Sequence, residues 1–132
     1  MTHLLDSTAL LAFILDEEEA DAVEHLMFDQ ACAVSFATWI EVHGRLRSLG
    51  LPAEDVASQL GDARALPLVT LWADGATLEK ALEIKEGGYF PFADTLIAAT
   101  AWALGLVLVH KDSHFTALPS VVRQLDLRSI PK

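Results

Sequence analysis

Asp94 is the only charged residue between Gly87 and Val109, within an otherwise apolar run of the sequence. Burying an unpaired ionised carboxylate costs several kcal/mol, so such a group is normally matched by a cation. The nearest basic residues along the chain are Lys85 and Lys111, too far away in sequence to be local partners. A cation of another kind is therefore expected to balance this acid.

Three more acids stand in comparable places. Asp6 ends the apolar start HLLD, Glu41 lies in FATWIEV, and Asp112 follows the run LVLVHK. Two unit charges about 4 Å apart repel by roughly 4 kcal/mol at an effective dielectric of about 20. Acids gathered this closely need divalent cations, and ligation by oxygen alone favours Mg²⁺ or Mn²⁺ over Zn²⁺. The sequence thus predicts a metal-holding pocket formed by Asp6, Glu41, Asp94 and Asp112.

Alternating apolar runs and helical patterns indicate how these acids are positioned. Strands are expected at 3–6, 31–35, 68–71, 106–109 and 125–128, and helices at 7–15, 16–28, 36–49, 52–65, 74–87 and 91–105. This alternation predicts an α/β fold with a parallel sheet between helical layers, in a single domain over residues 1–132. In such sheets the carboxyl ends of the strands at the switch in winding direction form the ligand crevice. Asp6 and Asp112 would meet there, with Asp94 facing inward.

Composition excludes some functions and favours others. The lone cysteine, Cys32, forms no intrachain disulfide, which fits a cytoplasmic location. The start lacks a signal peptide, and Pro91, Asp94 and Gly105 interrupt the long apolar run, so neither export nor a membrane span is expected. A net charge of −10 disfavours unspecific binding to polyanions. With 52% hydrophobic residues and a mean hydropathy of +0.35, a homodimer or a dedicated partner is expected.

Each acid also has a purely structural interpretation. Thr38 and Glu41 have the spacing of a helix capping box, and Glu41 with Arg45 has that of an ion pair along a helix. The three aspartates of the set could instead serve helix N-termini or turns. The acidic run at 16–19 is interpreted as a solvated first helical turn. His110 and His114 have the four-residue spacing of some zinc ligands but straddle the end of a strand, which disfavours zinc.

The segments LLDSTALLAFIL, TWIEV, FADTLIAATA and HKDSHF together resemble the four acidic blocks of the PIN domain. They are similar in particular to the small ribonuclease toxins of VapC type from toxin–antitoxin pairs, and the resemblance extends from Leu4 to about Phe115. It implies a three-layer α/β/α sandwich with a parallel sheet in the order 3-2-1-4-5. It also implies Mg²⁺ or Mn²⁺ as cofactor, an RNA substrate cut endonucleolytically, and an antitoxin protein as partner.

By position, the family's acidic quartet corresponds to Asp6, Glu41, Asp94 and Asp112. The resemblance implies hydrolysis by metal-activated water, with Ser7, Thr38 and His114 as auxiliary residues and Arg45 and Lys111 as phosphate contacts. There are two departures from the family pattern. His110 replaces the hydroxyl residue often found two positions before the last acid, and His114 replaces the acid or amide often found two positions after it.

Two other α/β protein classes lack a required aspartate in this sequence. A haloacid-type phosphatase requires a second aspartate two positions after Asp6, where Thr8 stands, and a response-regulator receiver requires a phosphoacceptor aspartate at the end of the third strand, where Leu71 stands. Two alternatives stay open at this point. One is a non-catalytic PIN-fold interaction domain, and the other is a PIN-like nuclease acting on DNA, since nothing in the sequence distinguishes the 2′-hydroxyl of RNA.

Overall fold

Five strands form one sheet in the computed structural model, which describes residues 1–131. The strands are β1 (His3–Leu5), β2 (Cys32–Ser35), β3 (Leu68–Leu71), β4 (Val107–His110) and β5 (Gln124–Asp126). The helices are α1 (Ser7–Ile14), α2 (Ala20–Asp29), α3 (Phe36–Ser48), α4 (Ala53–Arg64), α5 (Gly75–Glu86) and α6 (Phe92–Leu104). Two 3₁₀ helices follow the last strands, at Ser113–Ala117 and Leu127–Ser129.

The sheet is parallel throughout, in the order β3-β2-β1-β4-β5, which confirms the predicted topology. Leu5 of the central strand is in register with Val34 on one side and Val109 on the other. The winding direction reverses between β1 and β4, so the crevice expected for such a sheet lies at their carboxyl ends. The Asp6 N–H donates to the carbonyl of Val109 at 3.0 Å, which ties the end of β1 to β4.

Neighbouring residues of the central strands face opposite layers, as parallel strands buried on both sides require. Leu5 packs in a core with side chains of α1 to α4, whereas Leu4 packs in a second core with α5 and α6. The predicted α/β/α sandwich is therefore confirmed. Cys32 is 2% exposed, so its thiol is packed in the interior.

Two element boundaries differ from the sequence prediction. Asp16 does not begin α2; it adopts a left-handed conformation with φ 51°, and the helix starts at Ala20. The reason lies in α1, because the Glu17 N–H donates back to the Ala12 carbonyl at 2.8 Å and closes the end of that helix. The last strand ends at Asp126 instead of residue 128, since this carboxylate caps the following 3₁₀ turn.

No helix within residues 1–131 combines the length and apolar character needed to span a bilayer. The apolar run around Asp94 is divided between α6 and β4, with Gly105 in a left-handed conformation (φ 66°) between them. Gly105 thus turns the chain from the helix that carries Asp94 to the strand that leads to Asp112. Residues other than glycine adopt this conformation at a cost of roughly 1–2 kcal/mol.

Replacement of Gly105 by alanine is expected to lower the free energy of unfolding by about 1 kcal/mol, because alanine resists the left-handed conformation. Gly61 provides the matched control, since it lies within α4 with open space around its Cα. Gly61→Ala should raise stability by about 0.5–1 kcal/mol through helix propensity. Urea unfolding followed by circular dichroism measures both, and equal effects of the same sign would contradict the assigned turn.

Candidate active site

A cleft of about 680 Å³ opens at the carboxyl ends of β1 and β4. Its lining includes Ser7, Thr8, Glu41, Arg45, Asp94, Lys111, Asp112 and His114. These residues come from the start of α1, from α3, from the first turn of α6 and from the segment after β4. Segments that are far apart in the sequence therefore supply one pocket, as the switch in sheet topology requires.

Asp6 follows β1 directly and precedes Ser7, which lines the cleft. Asp6 itself is 1% exposed and does not line the cleft. Its Oδ1 accepts hydrogen bonds from the Ala9 N–H at 2.9 Å and from the Thr8 hydroxyl at 2.7 Å. Asp6 is thus the N-cap of α1, as its structural interpretation predicted. Burial nevertheless raises its pKa to about 7, and the charges of Asp94 and Asp112 add to the rise. It therefore caps a helix and also belongs electrostatically to the acidic pocket.

Glu41 is held by Ser7, whose hydroxyl donates to Oε1 at 2.5 Å. The capping box is not formed, because the cap of α3 is the Ser35 hydroxyl, which accepts from the Ala37 N–H at 3.2 Å. Within residues 1–131 no ion pair joins Glu41 to Arg45. Both structural interpretations of Glu41 are therefore wrong.

Thr38 does not line the cleft. Its side chain is fully buried one turn before Glu41, and its hydroxyl has no hydrogen-bond partner within the described residues. Of the three auxiliary residues predicted from the sequence, Ser7 and His114 line the cleft.

Asp94 lies in the first turn of α6, with its side chain 12% exposed. Burial raises its pKa to about 6; the charges of Glu41 and Asp112 raise it further, and His114 partly offsets them. The helix N-terminus favours the charged form, but here desolvation and repulsion dominate. The surroundings of Asp94 therefore disfavour the ionised form of its carboxyl group.

Asp112 caps the 3₁₀ helix by accepting the His114 N–H at 2.9 Å. Its own N–H donates to His110 Nδ1 at 3.1 Å, and His110 Nε2 lies 2.9 Å from Gln124 Oε1. Both ring nitrogens of His110 are therefore engaged, so the zinc pair with His114 does not form. His110 instead orients the backbone of Asp112 from the position where the family often has a hydroxyl residue.

Two contributors to this region were missed from the sequence. Gln124 of β5 holds His110, and only the pairing of β4 with β5 brings them together. The Thr8 hydroxyl accepts the Lys111 N–H at 2.9 Å while donating to Asp6, so it links the ends of β1 and β4. Its position two residues after Asp6 was the available signal, since hydroxyl side chains commonly bond to nearby groups in turns.

Lys111 is engaged away from the acidic pocket. Its Nζ lies 2.8 Å from Glu19 and 3.2 Å from Glu17, and Glu19 is only 7% exposed. Residues 16–18 are exposed, as predicted, but the prediction of a solvated first helical turn is wrong at Glu19, which is buried against Lys111, and α2 starts only at Ala20. Arg45 lines the cleft, and its side chain forms no ion pair within residues 1–131.

No lysine or arginine within the described chain forms an ion pair with Asp6, Glu41, Asp94 or Asp112. An oxygen of Asp94, an oxygen of Asp112 and a ring nitrogen of His114 lie within 4.8 Å of one another. Such a donor set fits a divalent cation, which would also relieve the repulsion that raises the pKa values. These three residues therefore fit a divalent cation, whereas Asp6 and Glu41, which the sequence also placed in the metal pocket, are not part of this donor group.

The fold and pocket define an α/β/α domain with an acidic candidate metal site at the switch point of its sheet. A family model described as the PIN domain matches residues 3–120. The chain belongs to the PIN domain family. No protein of the curated set matches the sequence significantly.

Solved structures share the fold at low identity. The chain is similar to a chain of VapBC2 from Rickettsia felis bound to a promoter DNA fragment, with 19% identity, a TM-score of 0.79, and coverage of 96% of this chain and 98% of that one. The chain is also similar to a chain of DNA-bound VapBC from Salmonella typhimurium, with 20% identity, a TM-score of 0.77, and coverage of 96% of this chain and 98% of that one. A third similar structure is VapC20 from Mycobacterium tuberculosis, described as a sarcin-ricin loop cleaving toxin. Its identity is 13%, its TM-score is 0.69, and the match covers 88% of this chain and 94% of that one. At these identities the likeness shows the fold.

The raised pKa of Asp6 predicts a pH dependence of stability in the absence of metal. The native state holds the proton of Asp6 more tightly than the unfolded chain does. The contribution of Asp6 to the free energy of unfolding is therefore fully present below pH 3.8 and is lost as the pH rises through about 7. Asp6→Asn keeps an oxygen to cap α1 and should remove most of this loss. At about pH 8 we expect the variant to exceed the wild type by roughly 2–4 kcal/mol in urea unfolding with chelator.

Asp74 supplies the control for this prediction. It caps α5 in the same manner, accepting from the Thr77 N–H at 3.0 Å and the Thr77 hydroxyl at 3.1 Å, and these bonds lower its pKa. Asp74→Asn should therefore bring no gain at high pH. A gain as large as that of Asp6→Asn would show that the effect does not come from the crowded acids.

Proposed function

We propose that this chain is an endoribonuclease that depends on Mg²⁺ or Mn²⁺ and hydrolyses RNA phosphodiester bonds. The observation that carries the proposal is the meeting of acids from separate segments at one cleft, where none of Glu41, Asp94 and Asp112 forms an ion pair with a lysine or arginine of the described chain. Membership of the PIN domain family supports a nuclease. The RNA substrate is supported by the structural neighbour described as a sarcin-ricin loop cleaving toxin.

In this proposal Asp6, Asp94 and Asp112 hold the metal. When bound, a divalent cation supplies acidification of a water molecule and stabilisation of charge on the phosphate oxygens. Glu41, whose Oε1 is fixed by the Ser7 hydroxyl, completes the shell or orients the attacking water. Water and not a side chain would be the nucleophile; if the bond between phosphorus and the 3′ oxygen breaks and that oxygen leaves with a proton, the products carry a 5′-phosphate and a 3′-hydroxyl.

Phosphate contacts are assigned to Arg45 and Lys111. Arg45 lines the cleft and is exposed, so its guanidinium can reach a phosphate without first breaking an ion pair. Lys111 must leave Glu17 and Glu19 to do the same. Arg45 is therefore the stronger candidate of the two.

Purified protein is expected to cut labelled single-stranded RNA in Mn²⁺ or Mg²⁺ and to stop when chelator is added. Asp94→Asn should reduce the cleavage rate by at least about a hundredfold, because it removes one carboxylate from the metal-holding set. Asp62→Asn, an exposed acid on α4, makes the same chemical change away from the cleft and should leave the rate unchanged.

Cleavage that persists with chelator or in Asp94→Asn would overturn the proposed site. A labelled DNA strand of the same sequence tests the alternative substrate: cleavage of DNA in preference to RNA would favour the DNA nuclease. Metal binding without cleavage of either strand would favour the non-catalytic interaction domain.

We also propose that the chain is the toxin of a toxin–antitoxin pair and forms a homodimer. Structural neighbours with nearly complete mutual coverage come from VapBC structures, two of them bound to DNA. The surface carries exposed apolar side chains suited to partners, among them Ile40, Trp72, Leu78, Leu82 and Phe92. A basic antitoxin segment would also offset part of the net charge of −10.

Expression of the chain alone is expected to arrest bacterial growth, and co-expression of the small protein encoded beside it should relieve the arrest and yield a stable complex. Asp94→Asn should abolish the arrest yet still bind that partner. Light scattering of the purified chain measures whether it is a dimer. Growth arrest by Asp94→Asn equal to that of the wild type would contradict a toxicity based on the acidic site.

A further inference from the structure

The ring of His114 lies against two carboxylates of the acidic pocket. Its Nδ1 is 3.3 Å from Asp112 Oδ1 and 3.9 Å from Asp94 Oδ2. The side chain is 67% exposed and lines the cleft, so the approach is not imposed by packing in a core. One nitrogen atom therefore lies within 4 Å of two carboxylates, one from α6 and one from the segment after β4.

A local turn places this ring. Asp112 accepts the His114 N–H at 2.9 Å, which folds the segment Asp112-Ser113-His114 so that the imidazole and the carboxylate stand on the same side. Two possible metal-ligand groups, the Asp112 carboxylate and the His114 imidazole, thus lie two residues apart in the sequence. Asp94 completes the set, and all three donor atoms lie within 4.8 Å of one another.

The contact differs from an ordinary hydrogen bond of a histidine. Within residues 1–131 the His114 ring forms no hydrogen bond with either carboxylate, although it lies close to both. His110, four residues earlier, shows the contrast, because both of its ring nitrogens have hydrogen-bond partners in Asp112 and Gln124. The Nδ1 atom of His114 is therefore available as a donor to a cation between the acids.

We propose that His114 Nδ1 is a ligand of the metal held by Asp94 and Asp112, and that this nitrogen makes the site prefer Mn²⁺ over Mg²⁺. The inference rests on the proposed function and deepens it by naming the class of ion. Both ions favour oxygen ligands, but Mg²⁺ is the harder ion and binds imidazole more weakly than Mn²⁺, which stands lowest among the first-row metals yet still accepts a nitrogen ligand. A set of two carboxylates and one imidazole therefore selects against Mg²⁺ more strongly than a set of oxygens alone.

Pulsed electron paramagnetic resonance of Mn²⁺ added to the purified protein tests the ligand directly. A coordinated imidazole produces nitrogen-14 modulation of the Mn²⁺ echo, which carboxylates and water do not produce. We expect this modulation in the wild type and its loss in His114→Asp. His25→Asp, an exposed histidine on α2, makes the same change elsewhere and should retain it.

Titration calorimetry with Mn²⁺ and with Mg²⁺ tests the selectivity. In His114→Asp the ratio of the Mg²⁺ to the Mn²⁺ dissociation constant should fall about tenfold, because an oxygen replaces the nitrogen. His25→Asp should keep the wild-type ratio. An unchanged ratio in His114→Asp would overturn the proposed preference.

The outcomes separate this inference from the proposed function. Mn²⁺ that binds the wild type, is lost in Asp94→Asn and shows no nitrogen-14 modulation would overturn the role of His114 and leave the nuclease proposal standing. Binding of Mg²⁺ without binding of Mn²⁺ by the wild type would likewise overturn only this inference, whereas absence of binding of both ions would overturn both proposals. Because the wild-type spectrum alone can refute the ligand, the test does not depend on the folding of any variant.

Discussion

Electrostatic repulsion among carboxylates at one edge of the sheet is the constraint on which the rest of the site depends. The reversal of winding between β1 and β4 brings Asp6 and Asp112 to the same edge, and α6 adds Asp94 from its first turn. Burial and mutual repulsion raise the pKa values of Asp6 and Asp94 well above that of a free aspartate. Such a costly arrangement is typical of functional sites, where local stability rules are broken, and a cation between Asp94 and Asp112 would relieve it.

Structural and chemical roles coincide in the same residues. Asp6 caps α1 with one carboxylate oxygen, and Asp112 caps the 3₁₀ helix after β4. These caps restrain the side chains, so both acids are held by backbone N–H groups and not by ion pairs with lysine or arginine. Thr8 and His110 add a second set of restraints between the strand ends. The pocket is therefore largely formed before a cation arrives, which lowers the cost of ordering it.

The distribution of charge explains how an acidic protein can act on a polyanion. Lys111 is neutralised by Glu17 and Glu19, so the cleft offers Arg45 and the metal site as its attractions for phosphate. Binding in the proposed function would then depend more on the cation than on a basic surface. The exposed apolar side chains on α3, α5 and the start of α6 provide the surface through which protein partners would bind.

The alternation of strands and helices, the layers and the identity of the acids could be predicted from the sequence, because apolar periodicity, helix caps and glycine positions are local signals. The strand order was predicted only through the resemblance to the PIN domain. Asp94 stood out since a lone charge in an apolar run demands a partner. The burial of Glu19 and the support of His110 by Gln124 could not be predicted, because each depends on a contact between segments distant in sequence. The start of α2 was missed for a local reason, since Asp16 adopts a left-handed conformation that ends α1. The same holds for His114: its residue type was plain from the chain, but the approach of its ring to Asp94 arises only when α6 packs beside the end of β4.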